Sequence, residues 1–517
     1  MSEEGRKRGR VWFAERNIVF GYIGQLATSL MSFVLRTIFI MNLSEELLGV
    51  NSLYTNILSI LSLAELGIGT ALNYSLYKPV AEGNTEKIKS YMQMYRKCYR
   101  VIACVIAIIG LCLAPFLKYL IKDPGSITVQ EMTLYYFIFL FNTVSTYFVS
   151  YKYSLCNAEQ RNYIQTNINT VTKLITTSLQ IVIVIVTKNF LFYLLTDMAV
   201  QLLQKIFVSR YLNRRYPYLK DKDVKPLSQD EQNAVWTKTK ALVLHKVGDA
   251  ARLQTDSLII SSFIAVAVSG MVDNYKLVIN AVTNFVNILL NSVISGFGNL
   301  IATESKEHQY QLFKVYRFFA NWIYGFLVTG FYVLLTPLIE LWLGDSWVIS
   351  AAAVNFILID LYFKGERIVL SNYKTAAGVF EQDKYLTLIQ GIVNLVLSIW
   401  LVQKVGLAGV YFGTVVSGLI ANITKPVIIY KVCFNRSCRS YFLDSLKHAG
   451  MTLILALLLK AWGNLILANL SWLTFLLVMV LVTLVYNGVF LLLFGRTQEF
   501  GYLVQTLKKR LHTGLKG

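Results

Sequence analysis

The chain has 517 residues, 55% of them hydrophobic, with 30 Phe, 31 Tyr, only 7 Pro and a mean hydropathy of +0.52. That is more apolar than a soluble core needs, and it makes this a membrane protein. The formal net charge of +20 would suit a nucleic-acid ligand in a soluble protein; here it reflects how membrane proteins distribute Lys and Arg, and no nucleic acid is expected.

Windows of about 20 apolar residues, enough to cross a hydrocarbon core of roughly 30 Å, recur along the whole chain. They cover approximately 17–41, 47–76, 98–117, 132–151, 164–186, 190–209, 241–266, 276–302, 318–339, 348–372, 385–402, 408–430, 446–460 and 471–494. The expected fold class is an all-α polytopic membrane protein of about 14 transmembrane helices. "GRKRGRVWFAERNIVF" runs straight into the first span with no small-residue cleavage site, so no signal peptide is expected. With the N-terminus inside, the outer turns carry only Lys118, Lys122, Lys188 and Lys404, and the other loop cations fall on the inner side. That bias places both termini in the cytoplasm. The six cysteines do not form a disulfide pattern, "CFNRSC" lacks the spacing of a zinc site, and no metal or cofactor is expected.

The sequence repeats itself. At an offset of 222, "PFLKYLIKD" (115–123) lies over "PLIELWLGD" (337–345), and "YKYSLCNAEQRNY" (151–163) over "YKTAAGVFEQDKY" (373–385) with five identities. Gly49 and Tyr54 meet Gly270 and Tyr275 at offset 221. Six helices per repeat, an even number, make the repeats parallel about an axis along the membrane normal. The expected organisation is an N-terminal six-helix bundle over 1–212, a cytoplasmic linker over 213–237, a second bundle over 238–431, and a C-terminal helix pair with a basic tail over 432–517.

Residues 36–99, "RTIFIMNLSEELLGVNSLYTNILSILSLAELGIGTALNYSLYKPVAEGNTEKIKSYMQMYRKCY", and the counterpart "TDSLIISSFIAVAVSGMVDNYKLVINAV" (255–282) resemble the bacterial polysaccharide flippases of the Wzx type. These belong to the multidrug, oligosaccharidyl-lipid and polysaccharide exporter superfamily. The resemblance implies a monomeric V-shaped bundle in the bacterial cytoplasmic membrane. It would move undecaprenyl-pyrophosphate-linked oligosaccharides between leaflets by alternating access, for capsule, exopolysaccharide or O-antigen synthesis. The partners implied are that glycan, membrane lipids, and the polysaccharide polymerase and glycosyltransferases of the same pathway.

Buried polar residues point to a lined cleft, because a charge near mid-bilayer costs about 2.5–3.5 kcal/mol unless water or a partner receives it. Glu65 shares a polar stripe with Asn51, Thr55, Ser62 and Gly69 on the second span; it is an ion-coupling candidate or a carboxylate that locks two helices. Asp256 and Asp360 are further coupling candidates. Lys246, Asp249, Arg252 and Asp256 share one face of the seventh span, Asp360, Lys364 and Arg367 recur on the tenth, and the sixth carries Asp197, Gln201 and Lys205. Arg36, Arg252, Lys364 and Arg367 are the candidates to hold pyrophosphate, since arginine forks match phosphate geometry. Asn280, Asn284, Asn287 and Asn291 stand at successive turns of the eighth span and suit sugar hydroxyls, or hold helices together. "NTEKIKSYMQMYRK" (84–97) reads as an amphipathic surface helix and "QTLKKRLHTGLKG" as a membrane tether.

Two other functions compete. A drug or cation exporter of the same superfamily would favour acidic and aromatic cavity residues. A membrane polysaccharide polymerase would need catalytic groups in an outer pocket, and the outer turns are short and poor in Arg and His. The chain is therefore read as a transporter and not an enzyme.

Overall fold

The computed structural model describes residues 3–65, 68–159, 161–221, 224–237, 239, 255–291, 294–379, 382 and 384–505, with side chains described from residue 20 onward except at 63, 64, 70, 295, 296, 299, 302 and 384. Among these residues there is helix and no strand. The longer helices are α1 (Glu3–Asn42), α2 (Glu45–Leu61), α3 (Ile68–Glu82), α4 (Thr85–Leu113), α5 (Val129–Ser150), α6 (Asn162–Thr187), α7 (Phe190–Arg215), α8 (Asp256–Phe263), α9 (Val266–Asn291), α10 (Ile294–Thr303), α11 (Lys306–Leu343), α12 (Ala351–Ala377), α13 (Lys384–Val405), α14 (Leu407–Ile429), α15 (Arg439–Ile466) and α16 (Trp472–Phe494). Ten helical stretches among the described residues are long and apolar enough to cross a membrane, so the chain is a multi-pass membrane protein. Helix α12 is not one of the ten because Asp360, Lys364, Glu366 and Arg367 interrupt its apolar run.

Helices start where the sequence supplies a cap for their free amides. Ser44 accepts from Leu47 N at the head of α2, Asn84 from Lys87 N on α4, and Ser305 from His308 N on α11. Thr128 with Glu131, and Ser471 with Thr474, close reciprocal capping boxes on α5 and α16. The duplication is visible in these starts: α2, α4, α5 and α6 begin at residues 45, 85, 129 and 162, and α9, α11, α12 and α13 at 266, 306, 351 and 384, offsets of 221 or 222.

Two expectations change in detail. The second span is not one helix: α2 passes into a 3-10 turn at Ser62–Glu65 before α3 resumes at Ile68. Residues 85–97 are no separate surface helix but the first half of the continuous α4. The basic tail beyond 505 lies outside the described residues.

The chain forms two compact units, Met1–Gly270 and Met271–Gly517. Lipid is as apolar as leucine, so what holds such helices together is close packing and interhelical hydrogen bonding. In the first unit α6 lies so near α1 that a Cβ added to Gly24 would come 2.5 Å from Thr170 Oγ1. Tyr54 and Tyr136 are fully buried edge to face, and the Tyr54 hydroxyl donates to Met132 O at 2.9 Å. Helix α8 and the start of α9 belong to this unit. The Lys122 amide donates to Ser261 O at 2.9 Å, and the Val266 amide to Lys122 O at 3.0 Å.

In the second unit α13 and α14 form a tight hairpin, with Gly413 against Ser398 and Asn394 Nδ2 donating to Thr414 Oγ1 at 3.0 Å. Gly365 of α12 leaves room for the Tyr324 ring, which a Cβ there would meet at 2.0 Å. Helices α15 and α16 pack on α11 through Phe318, Val333, Leu459, Val478, Val482 and Tyr486. Trp322 stacks on Phe490 and donates to Asn487 Oδ1 at 2.9 Å. The opposite face of α16 exposes Leu473, Leu484 and Leu492, as a lipid-facing helix should.

Candidate functional site

Glu65 sits at the break between α2 and α3. Its Oε1 accepts a hydrogen bond from the Tyr99 hydroxyl of α4, and the Tyr95 hydroxyl one turn earlier donates to Gly69 O at 2.6 Å. Tyr99 also packs edge to face against Tyr147, whose hydroxyl lies within range of the Glu65 carboxylate. A Cβ on Gly69 would come 2.6 Å from the Tyr99 hydroxyl, so the glycine is what lets the tyrosine reach the acid. The carboxylate is thus held against α4 by the Tyr99 hydroxyl, a group that can accept as well as donate.

Beyond the break, Arg36 of α1 is half-buried and, with Asp197 of α7, lies within electrostatic range of Tyr193. Asn142 Nδ2 donates to Asp197 Oδ2 at 3.1 Å, and the buried Lys205 ammonium donates to Asn142 O at 2.9 Å and Ser145 Oγ at 2.7 Å. Asp256, the first residue of α8, is buried. Lys246, Asp249 and Arg252 lie outside the described residues.

In the second unit, Lys364 and Arg367 share α12 but face different tasks. The Lys364 side chain is 42% exposed, and its ammonium stands 2.7 Å from the buried Asp360 carboxylate one turn back. Arg367 is buried and donates to Gly418 O at 3.1 Å and to Asn422 Oδ1 at 2.6 Å on α14. Of the α9 asparagines, Asn280, Asn284 and Asn291 are exposed, and Asn287 accepts from the Tyr324 hydroxyl at 2.7 Å. Exposed amides on a helix of membrane length call for water or a polar ligand beside them.

Arg317 of α11 escaped the sequence reading. It is 4% exposed, lies 3.7 Å from the Tyr441 ring centroid, and donates to Tyr441 O at 2.8 Å and Ser445 Oγ at 2.6 Å. Glu366 and Asp444 carboxylates flank it at 3.7 and 3.9 Å. It ties α11 to α12 and α15. Outside the spans, the Lys87 ammonium hydrogen-bonds Glu231 and holds that carboxyl below the usual carboxylate range.

No family model matches the sequence, and no curated protein matches it. The solved structures do. A lipid II flippase, MurJ, in an inward closed conformation, superposes with a TM-score of 0.65 at 14% identity, over 92% of this chain and 99% of that one. An inward-facing multidrug resistance MATE family transporter of the MOP superfamily gives 0.58 at 15%, over 78% and 96%. The Vibrio cholerae MATE transporter VcmN gives 0.56 at 17%, over 83% and 99%. The fold is that of the MOP-superfamily transporters. At these identities the likeness concerns the fold, and the residues above are this chain's own.

Proposed function

We propose that the chain is a flippase that carries an undecaprenyl-pyrophosphate-linked oligosaccharide across the bacterial cytoplasmic membrane by alternating access, in capsule, exopolysaccharide or O-antigen synthesis. Coverage carries this reading. The likeness to the lipid II flippase takes in 92% of the chain, and the 8% left out is shorter than α15 and α16 together; the MATE likenesses take in 78% and 83%. The exposed asparagines of α9 offer donors and acceptors for sugar hydroxyls, while Arg36, Arg252, Lys364 and Arg367 supply charge for pyrophosphate. Glu65, Asp256 and Asp360 are the coupling carboxylates of the proposal.

The charge bias supports termini on the cytoplasmic side. In a Cys-free background, a membrane-impermeant thiol reagent added outside should label Asp345→Cys and spare Lys220→Cys; the reverse pattern would invert the topology. A monomer working beside the polymerase and glycosyltransferases completes the reading.

One observation favours a second reading, export of an organic cation: Glu65 lies among Tyr95, Tyr99 and Tyr147, and a carboxylate with aromatic rings is suited to cations. Proteoliposomes containing the purified protein separate the two. Translocation of a lipid-linked oligosaccharide without efflux of a cationic dye supports the flippase, and the converse supports the exporter.

A further inference from the structure

The first unit contains a cavity of about 370 Å³ between the ends of α5, α6 and α7 nearest residues 150, 162 and 208. It falls within the range of roughly 300–1,000 Å³ found for small-molecule sites. None of the residues assigned above to pyrophosphate, sugar or ion coupling lines it.

Its depth is built from Lys205, Tyr153 and Thr172, each 8–9% exposed. The Lys205 ammonium is held in place by Asn142 O and Ser145 Oγ. Tyr153 and Ser150 also line the cavity, and their buried hydroxyls have no hydrogen-bond partner among the described residues. Buried hydroxyls left unpaired are costly, and their place in a polar cavity marks where a ligand would complete them. A second cation, Lys173, stands exposed on the wall.

Charge and hydrogen bonding then define the ligand. Two ammoniums line the cavity and no carboxylate does; Asp197, within electrostatic range of both lysines, lies outside the lining and is engaged by Asn142. The balance favours an anion. Four amides, Gln165, Asn169, Gln201 and Gln204, add paired donors and acceptors, and Gln204 Nε2 is oriented by Asn169 Oδ1 at 3.0 Å. Amides of this kind match vicinal hydroxyls, which also give and accept.

We propose that this cavity is a binding site for an anionic sugar, a hexose unit bearing a phosphate or a carboxylate. The assignment rests on the flippase reading for its physiological ligand, where the acid would be a charged unit of the glycan or its phosphate-linked first sugar. Its test does not depend on transport.

The test is equilibrium dialysis of the purified full chain in detergent against labelled glucose 1-phosphate, glucuronate, glucose and inorganic phosphate. Saturable binding is expected for at least one acidic sugar, about tenfold or more tighter than for glucose or for phosphate, as a charge-assisted contact requires. Which acid binds identifies its source. Lys205→Met would also remove bonds that join α5 to α7, so the informative variants are Tyr153→Phe, which breaks no existing hydrogen bond, and Lys173→Gln on the wall. The double variant should bind the acid about tenfold more weakly with an unchanged melting temperature. Glucose binding as tightly as the acids, phosphate binding as tightly as the sugar phosphate, no saturable binding, or an unaffected double variant would each overturn the assignment. Intact acid binding by a protein that translocates no lipid-linked glycan would instead remove the flippase reading and leave the site.

Discussion

Gly49 and Gly270, fifth residues of the repeat-related helices α2 and α9, lie against each other: a Cβ on Gly270 would stand 2.9 Å from the Gly49 nitrogen. A Cβ on Gly49 would stand 1.9 Å from Val266 O. The obstacle is backbone in both cases, so a side chain cannot swing aside. The duplication thus brings equivalent glycines together where the first turns of two equivalent helices cross, an approach that small residues permit. Gly49→Ala should cost about 1–3 kcal/mol by overpacking and lower the melting temperature in detergent, whereas Gly21→Ala, where no atom lies within 4 Å, should not. Equal melting temperatures for Gly49→Ala and the parent would show that the crossing is looser than described.

Arg317 sits in a buried ion-pair network, and removing one partner of such a network typically costs about 3–5 kcal/mol because the other charge is left stranded. Arg317→Met should therefore destabilise more than the Arg317→Met, Glu366→Gln double variant. Denaturant or thermal unfolding of both would check this, and a double variant no better than the single would mean that Glu366 is not the stranded group.

Much of the architecture was legible because lipid imposes it. A helix must be apolar for about 20 residues, so spans such as 17–41, 164–186 and 471–494 read directly. The repeat read as well, since five identities at one offset fall in a polar-rich stretch of thirteen residues, where chance matches are rarer than among apolar spans. The break at Ser62–Glu65 did not, because hydropathy averaged over a span is the same whether a four-residue stretch within it is 3-10 or α-helical. Nor did the partition of the candidate charges. Arg317 was absorbed into the inner-side cations, among which sequence cannot separate a charge facing water from one paired with Glu366. Tyr99 and Glu65 are 34 residues apart, and nothing in either segment names the other. Asn280, Asn284 and Asn291 were readable as a stripe; that Asn287 is taken up by Tyr324 was not.

Glu65→Gln keeps the shape and the oxygen that accepts from Tyr99, and changes only the charge. Its unfolding free energy should stay within about 1 kcal/mol of the parent's, while its transport should lose sensitivity to an imposed ion gradient. Vesicle transport with and without the gradient measures this; an unchanged gradient dependence would leave Glu65 a helix lock.

The carboxyl of Glu231 is depressed in the folded chain, first by its hydrogen bond from Lys87 and then by Ser228. Its stabilising contribution is therefore complete above the ordinary glutamate range near pH 4.3 and is lost as pH falls through the lower folded value. Residues 224–237 should become more open to protease as pH drops below about 4, and Lys87→Ala should bring that opening to higher pH. Identical cleavage profiles for the two proteins would show that the pair does not hold the segment.

A flippase of lipid-linked glycans must move them between leaflets in a membrane that contains no other protein. Purified protein should be reconstituted into liposomes carrying an undecaprenyl-pyrophosphate oligosaccharide, and the fraction of glycan open to an external glycosidase followed over time. The protected inner-leaflet pool should become accessible with the parent protein, and more slowly with an equally well-folded Lys364→Ala, Arg367→Ala variant. A protected pool that stays as constant as in protein-free liposomes, beside active efflux of a cationic dye, would contradict the flippase reading.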